Sequence, residues 1–154
     1  MNESFVRQIG CFFFFSLLDE RMATEASLKA LAFAKIRLKK SPHFSLNSLV
    51  VIATYEIWHR ISHKLIKGSH HLTLESGWVV PDGIDLAPWK EFQKTAPEEE
   101  LLSVIWGHIL KIPSNDISLA LGLTAGTVRY RTGQGLKRLG DLARPGASPV
   151  RGSK

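Results

Sequence analysis

The chain has 154 residues, 44% of them hydrophobic and 22% charged, and a formal net charge of +6. That length holds one domain or two small ones with an ordinary core. One cysteine, Cys11, excludes an intramolecular disulfide and points to a reducing, cytoplasmic setting.

The first predicted element is a helix over residues 3–18. It contains the run from Cys11 to Leu18, with Phe12, Phe13, Phe14 and Phe15 in succession. The run is too short for a bilayer, which needs about 20 apolar residues, so no membrane partner is expected. Four adjacent phenylalanines point to all sides of a helix, so the helix must be covered on most of its surface. A second helix is expected from Thr24 to Lys40, with Leu28, Leu31, Ala32 and Ile36 as its apolar stripe and Lys35 and Lys39 beside it. Ser41-Pro42 ends it. A third helix, capped by Ser45, is expected from Leu46 to Lys67, with Leu49, Ile52, Ala53, Ile57, Ile61 and Leu65 on one side. Arg60, Lys64 and Lys67 lie on another face, and residues 29–67 hold eight Lys/Arg against one Glu.

Residues 71–97 are predicted to be an irregular acidic linker. Pro81-Asp82-Gly83, Pro88 and Pro97 break helices there, and Trp78, Val79, Val80 and Trp89 are apolar enough to dock on something. A very apolar helix then spans Glu98 to Lys111, with Thr95 and Glu98 as an expected capping box. Leu101, Leu102, Ile105, Ile109 and Leu110 can cover the pair of helices beyond it, with Trp106 at the flank.

Ser114 to Arg131 is the most informative stretch and reads as two short helices around a tight turn. Ser114 is the expected N-cap, Asp116 suits the first turn, and Ile117, Ala120 and Leu121 form an apolar stripe. Gly122 closes the first helix in a left-handed conformation, Leu123 plugs the turn, and Thr124 caps the second helix. Val128, Thr132, Gly135, Leu136 and Leu139 share one face of that helix. Thr127, Tyr130, Gln134 and Lys137 occupy the other, with Arg129, Arg131 and Arg138 on its flanks. An apolar back with a polar, basic front is what a major-groove recognition helix needs. A plain helical hairpin uses the same glycine turn. Charge favours the DNA reading. Residues 1–110 carry 12 Lys/Arg and 12 Asp/Glu, whereas residues 111–154 carry 8 basic and 2 acidic residues. Residues 144–154 read as a flexible basic tail.

Residues 101–139 resemble the fourth conserved region of bacterial sigma factors, most closely the extracytoplasmic-function type. The matching residues are Ile117-Ser118, Leu121-Gly122, Thr124-Ala125-Gly126-Thr127-Val128, Arg131 and Leu136. The resemblance implies that the helix from Thr127 onward recognises a promoter minus-35 element. Gly133 and Gly135 stand where the family usually has Arg and Ala. Each glycine costs a helix interior about 1 kcal/mol against alanine, so the C-terminal half is expected to fray. More faintly, residues 1–70 resemble the family's second region, which binds core RNA polymerase and reads the minus-10 element. On that basis Tyr55, Trp58, His59, Arg60 and Lys64 are candidate contacts to single-stranded DNA, the aromatics by stacking on unpaired bases. An ordinary place in the core is the equal alternative for Tyr55 and Trp58.

Enzyme chemistry is not evident. His59 and His63 are four apart, with His70-His71 beyond, but no carboxylate or cysteine completes a zinc set. No glycine-rich phosphate loop occurs, and Cys11 lacks a basic activator. No catalytic residue, metal or cofactor is therefore predicted. The expectation is an all-α protein with a helical domain at residues 1–70, a linker at 71–97 and a helix-turn-helix domain at 98–143. Its expected role is that of a sigma-like transcription initiation factor whose partners are promoter DNA, core RNA polymerase and an anti-sigma factor. The alternatives are a helix-turn-helix regulator independent of core polymerase, or a sigma-like module that binds only protein.

Overall fold

A computed structural model describes residues 2–65 and 85–144, apart from the side chains of residues 63–65. The described residues form an all-α fold with no strand. The helices are α1 (Glu3–Leu17), α2 (Glu20–Lys40), α3 (Leu46–Leu65), α4 (Ala87–Thr95), α5 (Glu98–Val104), α6 (Ser114–Leu121) and α7 (Ala125–Ala143). A π-helical turn, Ile105–Ile109, continues α5.

Asn2 caps α1, its side chain accepting from the Phe5 N–H at 2.9 Å. Leu18 then takes a left-handed conformation, φ 53°, and α2 begins at once because Asp19 accepts from the Met22 N–H at 3.0 Å. This cap starts α2 four residues earlier than the sequence pattern implied. The phenylalanine run lies inside: Phe12, Phe13 and Phe14 are buried and Phe15 is half-buried.

The face that α2 buries differs from the expected one. Leu28 and Ile36 are 64% and 59% exposed, while Ala23, Ala26, Ala30 and Ala34 are buried. Alanine lets α2 approach α1 and α3 closely, where the bulky residues of those helices already fill the space. The longer residues of α2 are displaced to the surface.

The core is continuous from Phe5 to Val128. α1 packs against α2, α3 and the π turn, and α3 packs against α6. Trp106 is the joint. Its ring stacks on Phe12 at 5.7 Å, and its Nε1–H donates to Thr54 Oγ1 at 3.0 Å. Expected only to flank its helix, Trp106 is among the most buried side chains.

Residues 87–95, expected to be irregular, form α4. Trp89 donates to the Phe15 carbonyl at 2.8 Å and Gln93 to the Ser16 carbonyl at 2.9 Å, so α4 satisfies the end of α1. Trp78, Val79, Val80 and Pro81-Asp82-Gly83 lie outside the described residues, as do His70, His71 and the tail beyond Arg144. No helix among the described residues is long and apolar enough to cross a membrane.

Candidate nucleic-acid interface

The two helices of the expected helix-turn-helix are α6 and α7. α6, and α5 before it, start behind a proline. Pro113 presents its carbonyl to the N–H groups of Asp116 and Ile117, at 3.0 and 3.2 Å, so Ser114 is the first helical residue rather than the cap. Pro97 does the same for Glu100 and Leu101. Thr95 is therefore not part of a capping box; its hydroxyl donates to the Glu91 carbonyl inside α4.

The turn is built as the sequence implies. Gly122 has φ 70°, a conformation that side chains disfavour, and nothing crowds it. Thr124 Oγ1 accepts from the Thr127 N–H at 3.0 Å and donates to Thr127 Oγ1 at 2.9 Å, which fixes the first turn of α7. Asp116 ties α6 to the start of α3. Its carboxylate accepts from Ser45 Oγ at 3.1 Å and Asn47 Nδ2 at 3.2 Å, and its carbonyl accepts from Ser48 Oγ at 2.9 Å.

α7 divides into two faces. Val128 and Gly135 are buried, and Thr132, Leu136 and Leu139 are half-buried. Arg129, Tyr130, Gln134 and Lys137 are exposed, Tyr130 to 68%. Thr127 is half-buried beside Thr124. Two arginines are less free than expected. Arg138 donates from Nε to Glu100 Oε1 at 2.8 Å, and that hydrogen bond raises its pKa, so its charge is already matched within the protein. Arg131 is half-buried and lines a cleft of about 580 Å³ that opens between α3, α5 and the α6–α7 turn.

The N-terminal candidates are not presented together. Trp58 is 6% exposed and belongs to the core, which removes it as a stacking platform for unpaired bases. Tyr55 is half-buried, 6.3 Å from Trp106 and 5.5 Å from His59 between ring centroids. His59 is exposed. Arg60 pairs with Glu56 at 3.1 Å, and its guanidinium lies 5.8 Å from the centre of the Phe33 ring. The side chains of His63 and Lys64 lie outside the described residues.

Three contributors are not evident from sequence. Asp116 suits the helix dipole, yet it also holds α6 on α3. Glu100 has no role in the motif, yet it engages Arg138. Gly135 looks like a weak point in a helix, yet a Cβ there would lie 2.5 Å from Val104 Cγ2 and 3.0 Å from the Glu100 carbonyl oxygen. Of these, Asp116 alone carries a local signal, an acid just inside a helix start.

Comparison with protein-family models, with curated proteins and with solved structures finds no match to this chain. The resemblance to a sigma fourth region therefore rests on its motif residues.

Proposed function

We propose that this chain is a sigma-like transcription initiation factor that recognises duplex promoter DNA with α7 and recruits core RNA polymerase. The observation that carries the DNA reading is the division of α7. Its apolar face is covered by α5, while Tyr130, Gln134, Lys137 and Arg129 project outward behind a capped turn. Tyr130 lies in the first half of α7, where recognition helices touch base edges, and Gln134, at its midpoint, has the donor–acceptor pair that matches adenine N6/N7. Arg129 and Lys137 are placed to meet phosphates. A second reading, a helix-turn-helix regulator that works without core polymerase, is favoured by the shared core. Trp106 stacks on Phe12, so the DNA-reading end and the N-terminal helices act as one body.

The test is a binding titration on a selected duplex and a scrambled one, at several salt concentrations. Gln134→Ala is expected to cost about 1–3 kcal/mol on the selected duplex and little on the scrambled one. Lys137→Ala is expected to weaken both equally and to make the slope of log K against log salt shallower by about 0.9. Equal losses for Gln134→Ala on both duplexes would remove Gln134 from base reading. A chain that binds no duplex would leave a protein-interaction module. Co-migration with core polymerase at low salt separates the first reading from the second.

A further inference from the structure

The turn between α2 and α3 is a basic corner, and the tertiary fold sets it beside α6. Residues 26–55 contain Lys29, Lys35, Arg37, Lys39 and Lys40 and no Asp or Glu. Lys39, Lys40 and His43 are exposed at the corner itself. Its shape is held by local contacts. The Arg37 guanidinium lies 5.9 Å from the centre of the Phe44 ring, the His43 ring lies 4.6 Å from the same ring, and the Phe44 N–H donates to the Ser41 carbonyl at 3.4 Å. Ser45 then donates to the Asp116 carboxylate, in the first turn of α6, at 3.1 Å, with Asn47 and Ser48 beside it.

Lys111 brings a further positive charge to the start of α6. It is exposed, stands three residues before Ser114 and has φ 61°. Glycine or asparagine usually fills such a left-handed position at a helix end, and a lysine there carries backbone strain that glycine would not. Lys39, Lys40 and Lys111 form no ion pair with a described residue. Asp116, the acid at the start of α6, is already engaged by Ser45 and Asn47.

We propose that the α2–α3 corner is a second duplex-binding element, in which Lys39, Lys40 and Lys111 contact phosphates of the duplex that α7 reads. This rests on the DNA reading proposed above and extends it beyond the helix-turn-helix. In helix-turn-helix complexes the first helix crosses the DNA backbone while the second enters the groove. α6 has 8 residues and is about 12 Å long. The corner therefore lies about that far from the α6–α7 turn, well within one duplex turn of about 34 Å. Unpaired cations there gain affinity by releasing counterions from the DNA, whatever its sequence. Contacts at both ends of α6 also fix the angle at which α7 meets the groove.

The test is a salt-dependent titration of the full chain on nested duplexes trimmed from either end, with a thermal melt of each variant. Lys39→Gln combined with Lys40→Gln is expected to make the slope of log K against log salt shallower by about 1.8 on the longest duplex, about 0.9 for each contact. Trimming from one end only is expected to abolish that difference from the unmodified chain. Lys29→Gln, about 15 Å back along α2 from Lys39, is expected to leave the slope unchanged. Lys111→Gly separates charge from fold. Its melting temperature is expected to hold or rise as strain is relieved, while its slope becomes shallower by about 0.9. Lys39 and Lys40 also suit the C-terminal end of α2, where positive charge is favoured. A lowered melt with an unchanged slope in the double variant would give them that role alone and overturn the proposal, leaving the reading of DNA by α7 in place. An unmodified chain that binds no duplex would overturn both.

Discussion

Gly135 governs how closely α7 lies against α5. Its missing side chain leaves room for Val104 Cγ2 and the Glu100 carbonyl, and the same approach puts Arg138 within 2.8 Å of Glu100. Gly133, two residues away, has nothing within 4 Å of a would-be Cβ and lies exposed. The two glycines should respond in opposite ways. Gly135→Ala is expected to destabilise the protein by about 1–3 kcal/mol, the usual cost of overpacking. Gly133→Ala is expected to stabilise it by up to about 1 kcal/mol through helix propensity. Urea unfolding of both variants checks this, and like signs would contradict the close approach. Cys11 offers a second check. Burial pushes its thiol pKa up, with Arg7 pulling weakly the other way. The thiol is therefore protonated at neutral pH, and its alkylation is expected to accelerate only at a more alkaline pH than that of an unfolded-chain cysteine. Rates of iodoacetamide labelling against pH, native and in denaturant, measure the difference.

At the scale of elements, α2 and α4 carry the main lessons. An amphipathic reading of α2 selects its longest apolar residues, whereas packing selects the smallest. Ala30 is fully buried and Leu28 is largely exposed. Ala30→Leu is accordingly expected to cost 1 kcal/mol or more, about the range for forcing methylenes into a filled core. Leu28→Ser should change stability by less than about 0.5 kcal/mol. Thermal melts of the two variants settle which face is inside, and a large loss in Leu28→Ser alone would reverse the assignment. α4 exists because Pro88 sits in its first turn, where a missing N–H costs nothing. Read as a breaker, the same proline suggests a loop. Trp89 and Gln93 then complete the carbonyl end of α1, which no side chain of α1 can do for itself.

For the whole molecule, the continuous core predicts cooperative behaviour. The Phe12–Trp106 stack, the Trp106–Thr54 hydrogen bond and the Asp116 contacts join segments far apart in sequence. One unfolding transition is expected for the full chain, coincident by fluorescence and circular dichroism. A fragment of residues 95–142 would expose Ile105, Trp106 and Ile117 to water and is expected to lose its cooperative melt. Two separated transitions, or a fragment that melts cooperatively alone, would mean that the N-terminal helices and the helix-turn-helix fold independently.

Local chemistry made several features legible from the sequence. Ser45 and Thr124 at helix starts, Gly122 at a helix end and the phenylalanine run each act through neighbours a few residues away. The α6–turn–α7 unit, the all-helical class and the buried α1 arise from such short-range rules. Propensity and periodicity report a helix's own faces but not which face a partner will cover. Only tertiary structure could decide that α2 buries alanines, that Trp58 is core, that Arg131 lines a cleft or that Glu100 engages Arg138. Those outcomes depend on surfaces brought together from distant parts of the chain, where the volume left between helices determines which side chains fit.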